Sequence, residues 1–151
     1  MRSRILLVDD QDSVLQSLYA ILERAGHEVL AAHSGAEALT IFRQSIRPIE
    51  LLVTDYNMPY MSGLELAREC SLLWRGLSVL YVPGSSLNEE LKADLQGRNR
   101  DFLAKPFRGN DLLRKVRALL LIQRAGFPQS ELLRRSGINS SGHSPSANPS
   151  T

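Results

Sequence analysis

Apolar and polar positions along the first 122 residues fall into two alternating patterns. Short apolar runs, RILLV (4–8), EVLAA (28–32), LLVT (51–54), LSVLYV (77–82) and DFLAK (101–105), are each followed by a longer stretch with helical spacing. A leucine- and valine-rich run of about five residues without strict alternation predicts a strand buried on both faces. In DSVLQSLYAILERAG, Val14, Leu18, Ile21, Leu22 and Ala25 share one helical face and Gly26 is the stop. Ser34 with Glu37, Ser62 with Glu65 and Ser86 with Glu89 each show the capping-box spacing that opens a helix. They precede SGAEALTIFRQ, GLELARECSLL and NEELKADLQ, and NDLLRKVRALLLI is the last strong helix.

Strand and helix therefore alternate five times, which predicts an α/β fold with parallel strands, right-handed crossovers and helices on both sheet faces. Ligands on such sheets gather outside the carboxyl ends of the strands, near the switch in strand order. Asp9, Asp10, Asp55, Pro83-Gly84 and Lys105 all fall at predicted carboxyl ends. Residues 1–122 form the expected domain and 123–151 a tail. QSELLRRSG allows short helical turns to about residue 137; beyond it SSGHSPSANPST has nothing to bury, and disorder is expected. Such an ending fits a linker to an output domain nearly as well as a natural terminus.

Composition changes this picture little. A chain of 151 residues, 43% hydrophobic, can bury a real core without staples. No apolar run approaches the ~20 residues that span a bilayer. Acids interrupt the first apolar stretch too early for a signal peptide, so the expected location is the cytoplasm. The single cysteine, Cys70, has no internal partner and reads as a core-facing thiol. Net charge is +2, and the tail accounts for it with Arg124, Arg134 and Arg135 against Glu131. A near-neutral main domain argues against a nucleic-acid surface.

The strand-end residues carry the chemistry. Three carboxylates held ~4 Å apart at an effective dielectric near 20 repel by on the order of 4 kcal/mol per pair. A divalent cation or a bound proton relieves this. Hard oxygen ligands that leave room for water suit Mg²⁺. Lys105 adds a compact positive charge. A cation and an ammonium around one carboxylate make a place where an aspartate can receive a phosphoryl group. Other residues have ordinary readings: Asp12 as a helix cap or turn residue, His27 and His33 as surface or edge residues, Trp74 as packing.

Asp9-Asp10 after the first strand, Asp55 in TDYNMPYMSG and Lys105-Pro106-Phe107 in FLAKPF together resemble a response-regulator receiver domain, the phosphorylation module of two-component signalling. The likeness covers about residues 3–122. It implies a flavodoxin-like, doubly wound five-stranded parallel sheet of order 2-1-3-4-5. It also implies Asp55 as phosphoacceptor, Lys105 paired with the aspartyl phosphate, and a cis bond before Pro106. Magnesium would be held by Asp9, Asp10, Asp55 and the Asn57 backbone carbonyl, Asp10 being the more direct ligand of the first two. The implied partners are a histidine kinase or histidine phosphotransfer protein, and a downstream protein docking on the face from the fourth to the fifth helix. Neither nucleic acid nor membrane is expected.

Two positions depart from the family pattern. Pro83 stands where a Thr or Ser hydroxyl usually contacts the phosphoryl group, and proline offers neither hydroxyl nor N–H. Ser85 is the one candidate to compensate, since Ser86 reads as a helix cap. Phe102 takes the place of the switching aromatic, often Tyr, and lacks a hydroxyl to report its rotamer. Leu87, Leu91 and Leu95 form a narrow apolar row in a charged helix, which suits a segment that shifts. The leading expectation is a phosphorylatable module that works by docking rather than by substrate turnover. One alternative is a pseudo-receiver that binds without phosphorylation. Another is a Mg²⁺-dependent aspartyl phosphatase, disfavoured because Asn57 replaces the second acid such enzymes need.

Overall fold

The apolar runs become β1 (Arg4–Val8), β2 (Glu28–Ala32), β3 (Leu51–Asp55), β4 (Ser78–Val82) and β5 (Arg100–Phe102). Between and after them lie α1 (Asp12–Arg24), α2 (Gly35–Gln44), α3 (Gly63–Leu73), α4 (Glu89–Asp94) and α5 (Gly109–Ala125). The structure is a computed structural model that describes residues 2–84 and 86–125, with the side chains of 123–125 excepted. Ser85 and the tail expected to hold helical turns lie outside the described residues. The strands pair in parallel in the order β2-β1-β3-β4-β5, the doubly wound arrangement expected.

Successive side chains of a strand point to opposite faces. Ile5 and Leu7 of β1 therefore pack with Leu15, Leu18 and Leu22 of α1 and with Leu112 and Val116 of α5. Leu6 and Val8 pack on the other side with Phe42 of α2, Cys70 of α3 and Leu91 of α4. Helices cover both faces, and the unbroken apolar runs follow from that. Trp74 is buried in the second cluster, as expected of a packing residue. Among the described residues, no helix is long and apolar enough to cross a membrane.

Two of the three expected serine N-caps form. The Ser34 and Ser62 hydroxyls accept the backbone N–H of Glu37 and Glu65, each at 3.1 Å. The third does not: Asn88 caps α4, its Oδ1 accepting the Leu91 N–H at 2.8 Å, and Ser86 lies outside the helix. Burial of Leu91 sets this register, while Leu87 and Leu95 flank a helix of only 6 residues and pack partly buried against the same core. Asp12 is likewise not a cap. It opens the first turn of α1, behind a Gln11 whose side chain makes no capping bond.

At the other end of α1, Ala25 is exposed and Gly26 at φ 95° terminates the helix, while Leu15 of the first turn joins Leu18 and Leu22 on the buried face. β5 ends at Phe102 rather than Lys105, because the chain begins to turn toward Pro106. Pairing to β4 nevertheless continues through Leu103 N–H to the Tyr81 carbonyl (2.8 Å) and Lys105 N–H to the Pro83 carbonyl (3.0 Å). α5 runs on past residue 122 to Ala125.

Candidate functional site

Val8 pairs with Thr54, so the next residues, Asp9 just beyond β1 and Asp55 at the last position of β3, stand side by side at the carboxyl edge of the sheet. Here β1 lies between β2 and β3, at the point where the strand order reverses. One oxygen from each of Asp9, Asp10 and Asp55 can be chosen so that all lie within 4.8 Å of one another. Asp9 and Asp55 are buried and Asp10 is exposed at the rim. Asp9 accepts the Gln11 N–H at 2.9 Å, which folds the loop after β1 around its carboxylate.

Lys105 completes the cluster. Its ammonium stands 3.3 Å from Asp9 and 3.4 Å from Asp55, reaching across from the far side of β4. The Lys105–Pro106 peptide is cis, as the resemblance implies. Three carboxylates facing one ammonium leave a surplus of negative charge. Burial, and then the charge of Asp9, raise the Asp55 pKa above the ordinary carboxylate value, with Lys105 pulling the other way. Hard oxygen donors, surplus negative charge and an exposed edge at Asp10 fit a small divalent cation that retains waters. Asn57 lies exposed two residues beyond Asp55, in the loop leaving β3.

The loop from β3 to α3 is shaped by one close approach. A Cβ on Gly63 would stand 2.2 Å from the Asp55 carbonyl oxygen, so only glycine lets α3 start against the strand end. Gly63 N–H in turn donates to the Tyr56 carbonyl at 2.9 Å. Between them Tyr60 is fully exposed at φ 67°, a region uncommon for an aromatic residue.

The family-departing positions are also placed. Pro83 is buried at the end of β4, where its carbonyl serves Lys105 N–H and it presents no donor. Phe102 is half-buried, with the Lys115 ammonium 5.8 Å from its ring centroid and Asp101 pairing that ammonium at 3.0 Å.

A second polar system, absent from the sequence reading, joins this site to α4. Tyr56 follows Asp55, and its hydroxyl accepts from Asn88 Nδ2 at 2.6 Å. Its ring meets Tyr81 edge-on, centroids 6.4 Å apart. The buried Tyr81 hydroxyl donates to Asp94 at 2.6 Å, and Arg100 Nε reaches the same carboxylate at 3.1 Å. The guanidinium also bonds the Leu77 carbonyl and Ser71 Oγ, each at 2.8 Å. One signal was available: a tyrosine in the middle of a buried strand must find its hydroxyl a partner. Nothing in the sequence ties residue 56 to residue 88. His33 was also underread, for its ring nitrogen lies 3.0 Å from Asp12, clasping the start of α1 to the end of β2.

Comparison with known proteins agrees with this arrangement. The family described as response regulator receiver domain matches residues 5–117. Response regulator MprA of Mycobacterium bovis (strain BCG / Pasteur 1173P2) is 39% identical over 120 residues, 80% of this chain and 51% of that protein. MprA of Mycobacterium avium (strain 104) is 39% identical over 117 residues, 78% of this chain and 50% of that protein. The chain thus spans about half the length of these relatives. Among solved structures, a response regulator receiver domain protein from Clostridium thermocellum superposes with a TM-score of 0.76 at 27% identity, covering 83% of this chain and 99% of that one. A CheY-like receiver domain protein from Methanospirillum hungatei JF-1 gives 0.75 at 29%, covering 84% and 100%.

Proposed function

The chain belongs to the family of response regulator receiver domains of two-component systems, and from that premise we propose that Asp55 accepts a phosphoryl group from a histidine kinase or histidine phosphotransfer protein. The phosphorylated domain then acts by docking to a downstream protein through the face formed by α4, β5 and α5. The observation that carries this reading is the Lys105 ammonium, placed between Asp9 and Asp55 in a cluster of three carboxylates at the sheet's switch point.

In the transfer, an Asp55 carboxylate oxygen attacks phosphorus. The bond from phosphorus to the donor's imidazole nitrogen breaks, and the imidazole keeps the electron pair. Lys105 meets the charge gathering on the phosphoryl oxygens, a contribution available without reorganisation because the ammonium already faces Asp55. Asp9, Asp10, Asp55 and the Asn57 carbonyl would hold magnesium, which when bound would supply positive charge to offset that of the phosphoryl oxygens. Thr54 is buried, its hydroxyl donating to the Asp55 carbonyl at 2.9 Å. That bond holds the strand end while the carboxyl changes charge.

Pro83 removes one phosphoryl contact that the family usually supplies, and hydrogen bonds to charged groups contribute roughly 1.5–3 kcal/mol. The expected consequence is a phosphorylated state whose output is weaker or differently routed, not a loss of transfer. A pseudo-receiver that docks without phosphate is the second reading, and buried Pro83 is the observation in its favour. Incubation with Mg²⁺ and a small-molecule phosphodonor, followed by intact mass, separates the two. The proposal requires the mass of one phosphoryl group in the wild type and none in Asp55→Asn. A wild type without that gain leaves the pseudo-receiver.

A further inference from the structure

The side chain that caps α4 is the same one that holds the residue next to the phosphoacceptor. Asn88 uses Oδ1 to accept the Leu91 N–H at 2.8 Å, and Nδ2 to donate to the Tyr56 hydroxyl at 2.6 Å. Both bonds are near the short end of the usual range, and one planar amide makes them from fixed directions. Displacing the Tyr56 hydroxyl either breaks this bond or turns the amide with it, and turning the amide uncaps the helix. α4 has little else to hold its start. It is 6 residues long, with Leu91 as its buried residue. Its far end is tied separately, through Asp94 to Tyr81 and Arg100.

The upstream half of the connection is adjacency in the chain. Thr54 and Asp55 are buried in the strand, so Tyr56 is the first side chain beyond the phosphoacceptor with room to be re-aimed. Its backbone is pinned on both sides, N–H to the Val82 carbonyl at 3.3 Å and carbonyl to Gly63 N–H at 2.9 Å. Its ring lies edge-on to a Tyr81 that is itself fixed by Asp94. The ring and hydroxyl are left as the movable part. Two competing routes are closed by composition, because Pro83 has no donor and Phe102 has no hydroxyl.

We propose that Tyr56 and Asn88 form the relay by which a change in charge at Asp55 alters α4, the Asn88 amide releasing or holding the helix cap according to the position of the Tyr56 hydroxyl. This rests on the phosphoacceptor reading of Asp55 and adds the route out of the site. In the unmodified protein the cap is held. When Asp55 carries a phosphoryl-like group, Tyr56 shifts, Asn88 follows, and the first turn of α4 frays.

Amide hydrogen exchange of the segment 87–95 tests the relay, measured with Mg²⁺ alone and with Mg²⁺ plus beryllofluoride as the phosphoryl mimic. Fluorine NMR reports in parallel whether the mimic is bound. In the wild type, exchange at the start of α4 should quicken about fivefold on binding, the factor that loss of one helix cap implies. Tyr56→Phe keeps the ring and removes the hydroxyl. Asn88→Ser keeps a cap-forming residue too short to reach Tyr56. Both variants should bind the mimic as the wild type does and show a change of less than about twofold. A wild-type fivefold response that persists in both variants overturns the relay while leaving Asp55 as the acceptor. Bound mimic with no α4 response in the wild type does the same. Failure of the wild type to bind the mimic overturns the acceptor reading, and the relay falls with it.

Discussion

Cys70 and His33 show how the environment of single residues sets their chemistry. Burial, and then the charge of Glu69, push the Cys70 thiol up to about 12, so almost no thiolate exists near neutral pH. Native protein at about pH 8 should therefore resist an alkylating reagent that labels Cys70 at once in denaturant. Labelling of the folded protein at the rate of a small thiol would contradict the buried placement. The sequence made this legible, since helical spacing alone turned the thiol toward the core. His33 was not legible, because its partner Asp12 belongs to another element. The bond to Asp12, with Glu37 adding charge, raises the imidazole pKa above the ordinary histidine value of about 6.5. A raised folded-state value means that the contribution to stability is present below the unfolded pKa and fades as pH rises through the folded one. NMR titration should place the His33 midpoint above 6.5, and Asp12→Ala should bring it down. An unchanged midpoint in the variant would show that the contact to Asp12 does not form in solution.

Elements depend on contacts that local pattern only partly encodes. Ser34 and Ser62 were readable as caps because a capping box is a property of four adjacent residues. Ser86 matched the same spacing and failed, because buried Leu91 fixes where α4 must begin, and that register hands the cap to Asn88. Gly63 illustrates the same limit: its need arises from the Asp55 carbonyl of the preceding strand. Gly63→Ala should destabilise the fold by on the order of 3 kcal/mol, since backbone rather than a flexible side chain must give way. Urea denaturation would register this as a lower midpoint with little change in slope. A loss under about 0.5 kcal/mol would mean that α3 can pull back from β3 freely. Tyr81→Phe probes the opposite end of α4. Removing its hydroxyl from Asp94 should cost about 1–2 kcal/mol, Arg100 retaining the carboxylate.

At the scale of the whole molecule, fold and site are two readings of one topology. The alternation of apolar runs and amphipathic stretches was enough to place five strand ends on one edge, and with them the acids and the lysine. Distances and protonation needed the folded structure, because they depend on how far β1, β3 and the segment after β5 close on one another. That closure concentrates three carboxylates about a single ammonium, so the folded state carries a repulsion the unfolded chain does not. Burial and Asp9 raise the Asp55 pKa, so in the metal-free protein the contribution of Asp55 to stability is most favourable below the ordinary carboxylate value and is lost as pH rises through the folded value. A divalent cation bound only by the folded state reverses this loss, by about 2.7 kcal/mol when its concentration is 100 times its Kd. Thermal denaturation should therefore show a Tm that Mg²⁺ raises more at about pH 8 than at about pH 4, where protons already relieve the cluster. Asp55→Asn should raise the Tm of the metal-free protein at neutral pH and shrink the increment that Mg²⁺ adds. If Mg²⁺ leaves the wild-type Tm unmoved at both pH values, the carboxylates do not form a cation site. Lys105 alone would then have to balance them, and the charge available for phosphoryl transfer would be too small for the role assigned to Asp55.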